Sequence, residues 1–265
     1  MQTTQVQELL CFGITAGEGN PALVVQHDHS NAAQRQQFAR ERNKPACVFI
    51  DMAADGGIVL DYFYPHTRSP LCSHATLAAA RVLLSTERPR LDVRTAMHGQ
   101  PLTLILHDGE VFLQLSPQVP PAVIVSAALA RQLLAAPGIA LASPPAIASV
   151  GSPKLLLEVA DSAALQALAP DLPAIADWGR QHGVSGAYAW CRRPDGALEG
   201  RSFNHLDPAA EDGATGVAAG ALSVLLQTGV TVYQGASLGT PCKLRTEFLG
   251  ESILIGGKTE LRSAT

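Results

Sequence analysis

Short apolar or alternating runs, each closed by Gly, Pro, Asp or His, recur along the chain and predict strands at residues 9–15, 22–26, 47–52, 58–64, 102–106 and 111–115. Helical stretches at about 31–41 and 74–85 lie among them. The second half repeats that inventory, with strands near 154–159, 186–190, 200–204, 231–234, 242–248 and 252–256, and helices near 126–135, 162–167 and 215–228. Strands and helices follow no steady alternation, so an α+β fold is expected rather than a doubly wound parallel sheet.

Two of the helices differ from the rest. Ala78, Ala79 and Ala80 leave the first almost without polar side chains, and the run from Val217 to Leu226 does the same for the second. A helix that is apolar all round has to be buried all round, so each half reads as a barrel-like sheet wrapped about one central helix. Pro117, Pro120 and Pro121 cannot sit in a central strand and mark a linker. The expected domains are therefore 1–117 and 118–265.

The approaches to these two helices match each other. Setting Ala75-Thr76 on Ala214-Thr215 without a gap also pairs Ala79 with Ala218, Ala80 with Ala219 and Leu83 with Leu222, which predicts two related halves. Cys72, Ser73 and His74 then superpose on Glu211, Asp212 and Gly213, so polar and reactive groups stand just before both helices. Unpaired N–H groups and a partial positive charge at such N-termini would hold a small carboxylate. The alternative is that Ser73, Thr76, Asp212 and Thr215 do no more than cap buried helices.

Composition narrows the classes. With 265 residues, 47% of them hydrophobic, the chain can build two ordinary cores. A net charge of −4 and scattered Arg and Lys leave no basic stripe, which argues against a nucleic-acid partner. The opening residues lack the regions of a signal peptide and no apolar run approaches a membrane span, so a cytoplasmic protein without membrane association is expected. Cys11, Cys47, Cys72, Cys191 and Cys242 form neither a CxxC pair nor a zinc-type cluster, and read as reduced, mostly buried thiols with no metal.

Several segments together resemble the phenazine-biosynthesis PhzF-like isomerases, a family within the diaminopimelate-epimerase-like superfamily that also holds the proline racemases. They are Gly19-Asn20-Pro21-Ala22, Pro70 to Ala80, Gly151 to Leu156, Glu211 to Gly216, Gln234 to Gly239 and Ile255-Gly256-Gly257. The resemblance implies two pseudo-symmetric domains with the active site in the cleft between them, a homodimer, and no metal or organic cofactor. It also implies proton transfer between carbons of a small unsaturated or amino carboxylic acid in biosynthetic metabolism. A glutamate serves as base in that family, helped by a histidine in the first motif and an aspartate in the second.

His74 and Asp212 occupy the histidine and aspartate positions, so general acid/base work falls to His74, and Asp212 assists or orients. The glutamate has no counterpart: the segment Ala39 to Ile50 aligns without a gap and places Ala46 where the base belongs, and a methyl group accepts no proton. Ser73 for a glycine, Gly213 for a proline, Val217 for a serine, Thr240 for an arginine and His205 for a proline are further departures, which read as a remodelled site. Asn20, Ser73, Ala75, Thr76, Gly213, Thr215, Gly216, Ala46, Cys47 and His205 are the expected substrate contacts, with backbone N–H groups around Ser73, His74, Thr215 and Gly216 holding the carboxylate. Cys47 and His205 are also candidate replacement bases.

Cys72 is a third catalytic candidate, because the epimerases and racemases place a thiol there and a helix N-terminus favours the thiolate. Gly213 stands where a second thiol would be needed, which disfavours a symmetric two-thiol racemase. Continued isomerisation or cyclisation competes with two other readings: a lyase-type reaction driven by positioning, and a ligand-binding or dimeric accessory protein that has lost the chemistry.

Overall fold

The structure is a computed structural model that describes residues 3–204 and 210–262. The chain divides into two compact units, Met1–Leu115 with Gly256–Thr265, and Ser116–Ile255. The first break falls between Leu115 and Ser116. The closing segment, expected with the second half, belongs to the first unit, because Thr259–Leu261 pairs antiparallel with the opening strand at Leu9↔Leu261 and Cys11↔Thr259.

In the first unit the strands are β1 (Gln5–Cys11), β2 (Asn20–Gln26), β3 (Ala46–Met52), β4 (Ile58–Phe63), β5 (Arg68–Ser69), β6 (Arg90–Thr95), β7 (Pro101–His107) and β8 (Glu110–Leu115), and the helices are α1 (Ala32–Arg42) and α2 (Ser73–Leu83). β1 begins and ends four residues before the expected 9–15, since it pairs with β2 along its full length and Phe12 then turns the chain at a φ of 66°. Period-two alternation gives the sheet two covered faces. Leu23, Val25, Cys47, Phe49 and Phe63 pack with Ala39 and Phe38 of α1. The alternate residues of the same strands, Ala22, Val24, Ala46, Val48 and Tyr62, belong to the opposite face, where the Tyr62 hydroxyl meets Thr76 of α2 at 2.8 Å. Every residue of α2 from Ser73 to Ala80 is buried, which is why alanines line it on all sides.

The second unit contains α3 (Ala127–Leu133), β9 (Ala146–Ala148), β10 (Lys154–Glu158), α4 (Ser162–Gln166), α5 (Leu172–His182), β11 (Ala187–Arg192), β12 (Leu198–Phe203), β13 (Glu211–Asp212), α6 (Gly216–Leu226), β14 (Thr231–Gln234), a 3-10 turn over Ala236–Leu238, β15 (Cys242–Phe248) and the first three residues of β16 (Ile253–Gly257); the last two residues of β16 and β17 (Thr259–Leu261) belong to the first unit. Leu155, Leu157, Ala187, Ala189 and Phe203 form one core with residues of α3, α4 and α5. The other face meets α6, whose residues Gly216 to Ser223 are all buried. Each unit is thus a sheet with one helix, buried over its first eight residues, on one face and helix packing on the other: α1 in the first unit, and α3, α4 and α5 in the second.

Candidate functional site

The first motif occupies the opening turn of α2. Cys72 is the N-cap residue, Ser73 and His74 follow as the first helical residues, and no side chain caps the turn. Ser73, His74 and Ala75 are buried there with their N–H groups in the first turn, the arrangement that favours an anion. Thr76 does not cap either: its hydroxyl donates back to the Cys72 carbonyl at 2.7 Å and shares a hydrogen bond with Tyr62. Burial pushes the Tyr62 phenol far above its ordinary range, so it stays protonated.

His74 is fully enclosed, and burial pulls its imidazole down to about 4. It is therefore neutral at physiological pH and able to accept a proton. Its Nδ1 lies 3.3 Å from the Cys72 thiol, and its backbone carbonyl accepts from the thiol of Cys11 at 3.2 Å. Cys11 is opposite Asn20 at the head of β2, and Ala22 is opposite Ala46, so Asn20 and Ala46 share the sheet face that Tyr62 and α2 occupy. Ala46 is completely buried and offers that face only a methyl group.

Cys47 has to be reassigned. As the next residue along β3 it points to the other face, into the cluster of Leu23, Phe49 and Phe63 under α1, and burial pushes its thiol up to about 12. It is a core residue, not a substrate contact or a base. All five cysteines are buried.

The second motif is built differently from the first. Gap-free matching sets Thr76 beside Thr215, yet α2 starts at Ser73 whereas α6 starts only at Gly216, with Thr215 as its N-cap. The residues that form the first helical turn in one unit form a short strand and a turn in the other. Asp212 ends β13, and its carboxylate accepts from the Thr215 hydroxyl at 2.5 Å and from the Ala214 N–H at 3.4 Å.

Gln234, the last residue of β14, holds this turn. Its carboxamide oxygen accepts from Thr215 N–H at 3.2 Å and from Tyr188 OH at 3.0 Å, while its nitrogen donates to the Asp212 carbonyl at 2.6 Å and to the Thr215 hydroxyl at 3.2 Å. The Thr215 N–H is thus already engaged by Gln234, and Gly216 is the first helical residue. Gly213 has room: an added Cβ would first meet Thr240 Oγ1 at 3.4 Å, so a side chain fits there. Gly235 has none, since its φ is 85° and a Cβ would fall 2.4 Å from the Thr240 carbonyl oxygen and 2.7 Å from that of Gly213. His205 lies outside the described residues.

Two residues of this region were not anticipated. Gln234 and Lys154 were read only as strand residues within segments that carry the family resemblance. Lys154 is fully buried, its ammonium donates to the Ser185 carbonyl, and burial pulls it down to about 7 against the opposing pull of the Asp212 carboxylate. Among the described residues no cluster of three or more His, Cys, Asp or Glu side chains could hold a metal, and no helix is long and apolar enough to cross a membrane.

The fold is the diaminopimelate-epimerase-like one. A Bacillus anthracis phenazine biosynthesis protein of the PhzF family superposes with a TM-score of 0.80 over 99% of this chain and 98% of that one, at 19% identity. The family model described as "Phenazine biosynthesis-like protein" matches residues 10–259, and the chain belongs to that family. Among its relatives, an uncharacterized isomerase of Deinococcus radiodurans is 31% identical, covering 92% of this chain and 86% of its own. A trans-2,3-dihydro-3-hydroxyanthranilate isomerase of Pseudomonas aeruginosa is 29% identical, covering 89% of this chain and 88% of its own.

Proposed function

We propose that this protein is a cofactor-independent isomerase that moves a proton within a small unsaturated or amino carboxylic acid. The observation that carries the reading is the first turn of α2, where a neutral, buried imidazole stands among uncapped N–H groups. Such N–H groups bind a carboxylate and stabilise negative charge that develops as a proton leaves the neighbouring carbon. His74 takes that proton and returns it at another carbon, the transfer an isomerase needs. The isomerase names of the relatives agree with this class.

Asp212 assists as the second acid or as an orienting group, fixed by Thr215 and Ala214. Cys72 is the runner-up for the proton-transfer role, in a one-thiol epimerase-like scheme, and its thiol is already in contact with His74. The protein works as a cytoplasmic homodimer in biosynthetic metabolism on this reading. Ala46 supports the competing reading of a ligand-binding or accessory protein, because a buried methyl group occupies the position of the family's base.

Incubation of the purified protein with candidate acids in deuterated water separates these readings. The proposal expects solvent deuterium in recovered substrate or product, lost in His74→Ala. Ligand binding without any exchange, undiminished in His74→Ala and Asp212→Asn, would establish the binding protein instead.

A further inference from the structure

Two fully buried hydroxyls, of Tyr62 on β4 and Thr76 on α2, meet where apolar residues would pack without them. Ala75, Ala78, Ala79 and Ala80 fill the same helix with methyl groups alone. A buried hydroxyl is costly unless it is hydrogen-bonded, and the partners of these two fix which atom donates.

The Cys72 carbonyl can only accept, and the Thr76 hydroxyl donates to it at 2.7 Å. A threonine hydroxyl has one proton, so in the 2.8 Å contact with Tyr62 the phenol is the donor. The phenol keeps that proton because burial pushes it far above its ordinary range. The result is a relay that runs from Tyr62 O–H to Thr76 O–H to Cys72 C=O, and the same carbonyl also accepts from the Thr76 N–H at 2.9 Å.

That carbonyl belongs to the peptide that carries the Ser73 N–H. In a planar trans peptide the C=O and N–H point in opposite directions, and no described peptide bond is cis. A C=O held toward Thr76 therefore holds the Ser73 N–H outward, ahead of α2. Among the described residues nothing accepts the N–H of Ser73, His74 or Ala75, although all three residues are buried. Buried N–H groups without a partner are rare in folded chains. Hydrogen bonds in a chain also polarise one another, so the two bonds received by the Cys72 oxygen make the Ser73 N–H a stronger donor.

We propose that Tyr62 and Thr76 are positioning residues for the carboxylate site: their relay aims and strengthens the Ser73 N–H that binds the anion, and they act through this peptide without touching the ligand. This rests on the reading of the first turn of α2 as the place where the carboxylate binds. Taken alone, a bond from a threonine hydroxyl to the carbonyl four residues back slightly weakens a helix. Here it fixes the peptide that meets the ligand.

The relay is tested first without a ligand, by the amide proton shift of Ser73 in isotope-labelled protein. Tyr62→Phe keeps the ring and removes only the hydroxyl, which reaches the Cys72–Ser73 peptide through Thr76. The expected result is an upfield move of the Ser73 amide proton that exceeds those of Ala79 and Ala80 on the same helix. A Ser73 shift that moves no more than theirs overturns the proposal, and it is the outcome predicted if the two hydroxyls only tie α2 to β4.

The second test is calorimetric titration with benzoate, each variant first shown to be folded by circular dichroism. Thr76→Val, which exchanges the hydroxyl for a methyl group, is expected to raise the dissociation constant about tenfold, and Tyr62→Phe about threefold. Thr76→Ser, which keeps the hydroxyl, should stay within about twofold of the wild type. A folded Thr76→Val that binds benzoate as tightly as the wild type would sink the idea; if Thr76→Val does not fold, unchanged binding by Tyr62→Phe does so. If the wild type binds neither benzoate nor acetate, the carboxylate reading of α2 fails, and the Ser73 shift decides the relay by itself.

Discussion

The thiol of Cys72 and Nδ1 of His74 stand 3.3 Å apart at the buried start of α2, so two groups capable of proton transfer face each other. Separate truncation tells them apart. His74→Ala is expected to lower the rate of deuterium incorporation by about 10²- to 10⁴-fold, the usual worth of a general acid/base. Cys72→Ala should lower it by less than about tenfold. The reverse order would transfer the chemistry to the thiol.

The same imidazole makes stability depend on pH. Its pKa falls from an ordinary 6.5 to about 4 on folding, so between those values the unfolded chain binds more protons than the folded one. The contribution is fully present above pH 6.5 and is lost as pH falls through 4, a difference of about 3 kcal/mol. Urea unfolding followed from pH 7 down to pH 4 should show this decline, and His74→Gln should flatten it. A variant with an unchanged slope would show that other groups govern the acid limb.

Gln234 satisfies four polar partners around the second motif. Gln234→Leu leaves the Thr215 N–H, the Asp212 carbonyl and the Tyr188 hydroxyl without their partner in a buried place. A loss of about 3 kcal/mol is expected from chemical denaturation, together with a reduced rate, since Asp212 and Thr215 are no longer fixed.

Gly200 lies against the ring of Tyr188, with an added Cβ falling 2.2 Å from the phenolic oxygen and 2.4 Å from Cζ. Gly200→Ala has to displace Tyr188 and with it the hydrogen bond to Gln234. It is expected to destabilise by about 2 kcal/mol or more, and Gly200→Ala combined with Tyr188→Phe should cost less than the two separate effects added together.

The central helices were readable in the chain because Ala78 to Ala80 and Val217 to Leu226 leave no polar stripe, and burial on all sides is the only outcome consistent with that. Ser73, His74, Ala75 and Thr76 open α2, and Asn20 heads β2. Cys47 was misplaced because a strand buried on both faces has no polar alternation to show which way each side chain points. The same ambiguity hid Lys154, which is followed by leucines that face both ways.

β6 and α5 were overlooked although they carry signals: Leu91, Val93 and Thr95 alternate, and α5 has Asp171 as its cap and Gly183 at a φ of 67° as its stop. The role of Gln234 depends on a register between distant strands, which no local pattern encodes. The four-residue offset between the starts of α2 and α6 was equally out of reach, because the matching residues Thr76 and Thr215 differ only in what surrounds them.

The pairing of Leu9 with Leu261 and Cys11 with Thr259 has a consequence for biosynthesis. β1 waits for β17 before its second edge is hydrogen-bonded, while the whole of residues 116–255 is made in between. During that interval β1 offers open N–H and C=O groups to any neighbouring chain. Gln5, Gln7 and Glu8, which keep its opening half polar, are suited to that wait: a nascent chain with so solvated a leading edge is a poor template for its neighbours on a crowded polysome.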